Sequence, residues 1–379
     1  MTTETMFEIF LVTAPGLESV LAGEVAALGF KNPVTVKGGV TVTGGWTDIW
    51  RANLELRGAA RVLARIGAFR AFHLAQLDKR ARKFPWADVL RPDVPVRVEA
   101  SCKGSRIYHA GAAAERIGRA IAEELGAPVA DDATVCVKAR IKDDLCTLSI
   151  DSSGEALHRR HHKEAVNKAP MRETLASLFL RQCGFDGVEP VVDPMCGSGS
   201  FVIEAAEIAA GLAPGRSRHF AFEQLATFDA GAWQQMREEA AGRSPAERPE
   251  DAGPRYFGSD RDQGAVTMSR DNAGRAGVAD LTRFTCQTVS ALTPPDGVPP
   301  GLVIANPPYG ERIGETKRLH ALYHALGQTL RDRFSGWRAA IITNDAALAR
   351  ATALPFLPSP PPVSHGGLPV RLYRTAARP

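Results

Sequence analysis

The chain has 379 residues, 44% of them hydrophobic and 23% charged, with 46 Lys and Arg against 42 Asp and Glu for a net charge of +4. That length suits two or three domains with sizeable cores, and the composition reads as an ordinary globular protein whose small basic excess does not by itself establish a nucleic-acid partner. Cys102, Cys136, Cys146, Cys183, Cys196 and Cys286 form no CxxC pair, which argues against a zinc site or a disulfide framework, so no metal is expected and the thiols are expected to be reduced in a cytoplasmic protein.

The opening "MTTETMFEIF" has Glu4 and Glu8 where a signal peptide carries basic residues, and no apolar run approaches the roughly 18 residues of a membrane span. A soluble protein with no membrane partner is expected. "FEIFLVT" reads as a buried strand, "GLESVLAGEVAALGF" as a helix with Leu17, Val20, Leu21, Val25 and Leu28 on one face, and "GGVTVTGG" as a second strand. This begins a small α+β domain. Basic residues then cluster between Arg51 and Lys83, and an alternating strand, a Gly-Ser turn, the helix "AAAERIGRAIAEELG" and a hairpin turning at Asp143 and Asp144 follow. Arg61, Arg65, Lys79, Arg80, Lys83, Lys103 and Arg106 are candidate phosphate contacts, set against the ordinary alternative of a solvated surface. "HRRHHKEAVNKAPMRE", residues 158–173, reads as a polar connection, and its His158, His161 and His162 lack companions at metal-ligand spacing.

Beyond a boundary near residue 160, strands and helices alternate: "VEPVVDPM", "SFVIEAAEIAAG", "RYFGSD", "DQGAVTMSRDNAGRAG", "GLVIANPP", "RLHALYHALGQTLRDRF" and "RAAIITN". Such alternation implies an α/β fold with an open, mostly parallel sheet whose ligands sit at the carboxyl ends of the strands. Residues 213–255 interrupt it with an insertion that has a helical middle and a Pro-, Glu- and Arg-rich end expected to be flexible.

The first of these strands ends in Asp193, with Gly197 and Gly199 in the turn that follows. Glycines there let a ligand approach the backbone, and the carboxylate can hold a cation or hydroxyl. The dinucleotide fingerprint needs a small residue where Val202 stands, and the Gly-Lys-Ser/Thr of a P-loop is missing. S-adenosylmethionine has no phosphates and needs neither. Asp260, at the tip of the next strand, suits the two hydroxyls of a ribose, while Asp262 suits the cap of the following helix.

"LVIANPPYG" sets Asn306, Pro307, Pro308 and Tyr309 at another strand tip. The exocyclic amine of a base is a poor nucleophile because its lone pair is delocalised. A site that accepts both amino hydrogens, through the Asn306 oxygen and the Pro307 carbonyl held by fixed proline φ angles, frees that lone pair for a methyl group. Tyr309 offers a face on which an extruded base can stack, a contact worth roughly 1 to 3 kcal/mol.

"DPMCGSGSFVIEAA", "GSDRD", "NPPYGERIG", "LHRRHHKEAVNKAPMRETLA", "RHFAFEQLATFDAGAW" and "GGLPVRLYR" together resemble the bacterial THUMP-domain class I methyltransferases that modify guanine N2 in 23S ribosomal RNA. The resemblance covers nearly the whole chain. It implies a ferredoxin-like domain over residues 1–60, a THUMP RNA-binding domain over 61–160 and a Rossmann-like methyltransferase domain over 161–379 that uses S-adenosylmethionine. By motif, Asp193, Cys196, Gly197, Ser198 and Gly199 line the methionine side of that cofactor and Asp260 its ribose. Pro170, Arg172 and Glu173 form a lid-like approach, and Asn306 borders cofactor and substrate. Two departures stand out: Thr288 replaces an acidic residue near the adenine, and "HGGLPVRL" lacks an Asn-Gly turn. The alternatives are guanine in transfer RNA, adenine N6 in DNA, and a noncatalytic RNA-binding assembly factor; the intact Asp193, Gly197, Gly199, Asp260 and Asn306 argue against the last.

Overall fold

Val135, Val137, Ala139 and Ile141 are buried while Arg140 and Lys142 are exposed, the period of two that a strand with one covered face requires. The same rule builds the first of two compact units, comprising residues up to Thr13, Leu21–Leu157 and Arg218–Glu239. In the computed structural model, residues 6–164, 170–243, 253–310 and 316–376 are described.

The amino-terminal elements are β1 (Phe7–Val12), α1 (Glu18–Ala27), β2 (Val34–Val36), β3 (Gly39–Gly44), α2 (Trp46–Glu55), β4 (Arg61–Arg70), α3 (Leu74–Arg82), β5 (Val96–Lys103), α4 (Ala110–Leu125), β6 (Val135–Lys142) and β7 (Leu145–Asp151). Their strands form one sheet in the order β2-β3-β1-β4-β7-β6-β5, antiparallel except for the β5–β6 pair. β4 pairs with both β1 and β7, so a division at residue 60 falls just before the strand that joins the two halves of this sheet. Asp143 and Asp144 turn the β6–β7 hairpin with φ of 50° and 62°, the paired left-handed conformation that a two-residue hairpin turn demands. Residues 218–239 of the insertion belong to this unit and carry an aromatic cluster: Phe222 meets Trp233 edge-on at 5.0 Å and stacks at 6.1 Å on Trp50. The Pro-rich end expected to be flexible, residues 244–252, lies outside the described residues.

The second unit holds Ala14–Val20, His158–Ser217 and the chain from Ala240 onward. Its elements are α5 (Glu173–Gln182), β8 (Val191–Asp193), α6 (Ser200–Ala209), β9 (Tyr256–Asp260), α8 (Gln263–Ala276), β10 (Thr282–Cys286), β11 (Leu302–Ala305), α9 (Thr316–Arg333), β12 (Arg338–Thr343), α10 (Ala346–Ala351), β13 (Val363–His365) and β14 (Leu368–Arg374); α7 (Ala230–Ala241) is the helical middle of the insertion. The strand order is β10-β9-β8-β11-β12-β14-β13. The strands from β10 to β12 are parallel and β14 returns antiparallel, giving the expected mixed, mostly parallel α/β sheet. The chain runs outward from β8 through β9 to β10, then reverses to β11 and β12 on the other side. The crevice between β8 and β11 is therefore the switch point at which an open parallel sheet receives ligands. Tyr323, Leu326 and Leu330 of α9 pack with Val303, Ile341 and Trp337 beneath it.

Candidate active site at the carboxyl ends of the second sheet

A cleft of about 1520 Å³ opens at this switch point, and Asp193, Cys196, Gly197, Ser198, Asp260, Thr288, Asn306, Pro307, Pro308, Tyr309 and Pro170 all line it. Residues from four strand ends and one pre-helical segment thus meet in one place, although 136 positions separate Pro170 from Asn306 in the sequence (306 − 170).

The loop after β8 is held from below by α8. Ser269 Oγ donates to the Gly197 carbonyl at 2.9 Å and Asn272 Nδ2 to the Ser198 carbonyl at 3.0 Å. The Gly199 amide closes a tight turn onto the Cys196 carbonyl at 2.7 Å. Gly199 itself lies behind the cleft wall as the N-cap of α6, with φ of 85°, and a Cβ there would sit 3.0 Å from Ile203 Cδ1 and 3.2 Å from Ser269 Cβ. Gly197 has φ of 54° and open space where its Cβ would be, which leaves its backbone accessible to a ligand. Cys196 is buried at 3.7 Å from the Ser269 hydroxyl, and burial pushes its thiol well above the usual range, which disfavours the thiolate.

The two carboxylates differ in environment. Asp193 is 2% exposed and accepts one amide hydrogen, from Met195 at 3.0 Å. Burial pushes its carboxyl up to about 8, the Met195 hydrogen bond opposes the shift, and the charge of Asp260 adds to it. Asp260 is partly exposed and accepts from the Gly197 amide at 3.1 Å and the Asp262 amide at 3.0 Å. Asp262 caps α8 through the Gly264 amide at 2.9 Å, as expected for a cap. Thr288 is exposed on the wall below Gln287, whose amide donates to the Asp260 carbonyl at 2.9 Å.

At the tip of β11, the Asn306 side-chain oxygen is buried and has no hydrogen-bond partner among the described residues. Pro307 is buried, Pro308 is exposed, and the Pro308 carbonyl accepts a long hydrogen bond from the buried Tyr323 hydroxyl at 3.4 Å. Tyr309 is half-buried, and its phenol is pushed up to about 12 by burial, so it remains protonated. Residues 311–315 of the motif lie outside the described residues.

The pre-helical segment departs from expectation in detail. Pro170 and Met171 line the cleft, but Arg172 and Glu173 do not. Glu173 is buried and pairs at 3.3 Å with Lys163, whose Nζ also donates to Ser200 Oγ at 2.7 Å and to the Met171 carbonyl at 2.9 Å. Lys163 therefore ties the cleft-lining segment to the first residue of α6. Behind it, Arg160 pairs with Glu204 at 2.9 Å with both side chains 1% exposed, and Arg216 with Glu207 at 2.5 Å. Within the connection expected to be a polar linker, Arg160 and Lys163 thus act as anchors, while residues 165–169 lie outside the described residues; no cluster of metal-ligating side chains occurs among the described residues.

In the first unit, the expected RNA contacts separate. Arg61 is engaged by the fully buried Asp151 at 2.6 Å and by the Gly154 carbonyl at 2.7 Å. Arg65 pairs with Glu8 and lies over the Phe10 ring, while Lys79, Arg80 and Lys83 end α3 on the surface. Lys103 is exposed, and Arg106 lies over the Phe72 ring at 5.1 Å. A groove of about 700 Å³ on the open sheet face joins Arg65 to Arg70, Lys138, Arg140 and Lys142, none of which the sequence reading picked out beyond Arg65. His365, Asn344 and Asp345, which line the large cleft, were also missed; only their position on strand ends distinguishes them.

This architecture can be set beside known proteins. A description of RMKL-like methyltransferase domains matches residues 160–355, more than half of the sequence. The chain belongs to that methyltransferase family. An RlmL ferredoxin-like domain matches residues 8–63. Proteins named ribosomal RNA large subunit methyltransferase K/L are similar to it: that of Psychromonas ingrahamii is 32% identical over 353 residues and that of Syntrophotalea carbinolica 36% over 356, each alignment taking in 90% of this chain. The chain spans about half the length of these curated relatives, 47% and 50%. Among solved structures, SMU.472, described as a methyltransferase and complexed with SAH, superposes with a TM-score of 0.88 at 26% identity, covering 100% of both chains. No helix among the described residues is long and apolar enough to cross a membrane.

Proposed function

We propose that this chain transfers a methyl group from S-adenosylmethionine to the exocyclic N2 amine of a guanine in RNA, with large-subunit ribosomal RNA as the substrate and the cytoplasm as the place of work. The observation that carries the reading is the Asn306 oxygen, a buried acceptor with no partner among the described residues, at the strand tip beside two carboxylates and an open glycine turn. Leaving such an acceptor unpaired costs roughly 1 to 3 kcal/mol, which an amine donor in the cleft removes.

The residues present fit the cofactor. Asp260 is exposed enough to accept ribose hydroxyls, the Gly197 backbone is open to close approach, and the buried Asp193 suits an ammonium group. Thr288, the departure noted in the sequence, presents a hydroxyl on the wall. When bound, the cofactor supplies an electrophilic methyl group. Asn306 accepts one amino hydrogen of the base and the Pro307 carbonyl the other, so the nitrogen lone pair is freed toward that methyl. Tyr309 stacks on the base. No general base is required, since the methylated ammonium readily loses its proton to a carbonyl or water. The basic groove around Arg70 and Arg140 supports phosphate contact in the first unit.

The test is to incubate the protein with isotopically labelled S-adenosylmethionine and, separately, unmodified ribosomal RNA, transfer RNA and DNA, and then to identify the labelled nucleoside by mass spectrometry. Labelled N2-methylguanosine from ribosomal RNA is expected; label in transfer RNA or in N6-methyladenine overturns the substrate, and no label overturns the activity.

A further inference from the structure

His365 is the last residue of β13 and pairs with Leu368 across a turn made of Gly366 and Gly367. Those glycines have φ of 58° and 83°, and a Cβ on either would meet nothing within 4 Å. They are required by the turn conformation and not by crowding. Two successive left-handed residues make the tight hairpin turn whose twist matches that of its strands, so Gly-Gly does here what Asn-Gly does elsewhere. The turn fixes where the His365 side chain projects.

That side chain is unlike its surroundings. Ser364, Gly366, Gly367 and Leu368 are exposed, whereas His365 is 5% exposed and lines the cleft that also holds Asn306, Pro308 and Tyr309. Neither ring nitrogen has a hydrogen-bond partner among the described residues. Among the described residues, two buried polar groups in this cleft are thus unpartnered, the Asn306 side-chain oxygen and the His365 ring. They stand on the strand side away from the two carboxylates, because β14 returns antiparallel beside β12, which lies next to β11. Burial and then the positive charges of Arg172 and Lys163 disfavour a charged ring. A neutral imidazole carries one N–H donor and one acceptor. With cations near it, the edge it best complements is one rich in acceptors.

We propose that His365 reads the target base, donating its ring N–H to a base-edge acceptor, which is O6 when the base is guanine. This rests on the methyl-transfer reading above and deepens it: Asn306 holds the amine that reacts, and His365 selects the base that presents it. Adenine offers an amine where guanine offers O6.

The experiment uses the full chain and synthetic RNA carrying, at the methylated position, guanine or 2,6-diaminopurine, which keeps the N2 amine and replaces O6 with an amine. Wild type is expected to favour guanine by roughly five- to tenfold in kcat/KM, the worth of one hydrogen bond. His365→Leu is expected to bring that ratio near unity and His365→Gln, which retains an N–H donor, to restore part of it. SAH affinity by calorimetry is expected to stay unchanged in both. An unchanged base ratio in His365→Leu overturns the proposal, as does a loss of SAH affinity equal to the loss of activity, which would assign the ring to the cofactor carboxylate. If wild type labels another base or no base, the methyl-transfer reading fails separately. The 15N resonances of the His365 ring in SAH-loaded protein then decide: a shift on adding unmodified ribosomal or transfer RNA is expected, and none with either overturns the proposal.

Discussion

Two loops of the second unit, one after β8 and one after β11, face the same cleft and are finished differently. In the first, the carbonyls of Cys196, Gly197 and Ser198 are all taken by the Gly199 amide, Ser269 and Asn272, and the Asp193 and Asp260 carboxylates already accept backbone amides. In the second, two prolines fix the backbone and the Asn306 oxygen is left unbonded. A satisfied loop is a preformed seat for a ligand that need not change during the reaction. An unsatisfied acceptor is an interaction reserved for what arrives later, and it is the kind that acts on rate.

The sharpest way to break this comparison is Asn306→Ala. Turnover should fall by roughly a hundredfold or more, as when one preorganised polar group of a reacting site is removed, while SAH affinity by calorimetry stays at the wild-type value. A parallel loss of SAH affinity would merge the two loops into one function. Asp260→Ala should do the reverse, weakening SAH by roughly tenfold or more through the loss of charge-assisted hydrogen bonds.

Asp193 gives a pH test of the seat. Its folded pKa, about 8, lies above the ordinary carboxyl value, so its contribution to stability is full near pH 4 and fades as pH rises through 8. Binding an ammonium group asks for the ionised form. SAH affinity should therefore fall by up to about tenfold per pH unit as pH drops below 8, and Asp193→Asn should bind weakly with a flat profile. A flat wild-type profile would mean that Asp193 serves only the loop. The gentlest test is Gly199→Ala, whose left-handed φ and 3.0 Å contact should cost about 1 to 3 kcal/mol in unliganded stability by denaturant titration, with little change in turnover at saturating cofactor.

The strand tips were readable because their signals are local. Asp193 with Gly197, Asp260 with Asp262, and Asn306 with its prolines each fall within a few residues of a strand end, where chain direction alone places them at the ligand-binding edge. The Asp143-Asp144 turn was legible for the same reason. Charge pairing was not. Arg61 meets Asp151 from 90 positions away (151 − 61), and Arg160 meets Glu204 from 44 positions away (204 − 160), so a surface cation and a buried strut look alike in sequence. Glu173 was expected beside the cofactor because it sits in a motif, but its partner Lys163 turns it inward. His365 was invisible for a further reason: only the sheet order, with β14 beside β12, brings the hairpin tip over the cleft.

The buried pairing of Arg160 with Glu204 and Glu207 also governs how this chain can be cut. A fragment that started at α5 would look like a clean excision, since it keeps every strand of the second sheet and every residue of the glycine turn. It would nevertheless remove Arg160 from the buried Glu204, at a cost of roughly 3 to 5 kcal/mol, and would lose the cleft-lining Pro170 and Met171 together with the lysine that fastens them to the helix start. A cut upstream of Arg160, where the chain re-enters the second unit at His158, keeps this pairing, although it still leaves out Ala14–Val20 of that unit.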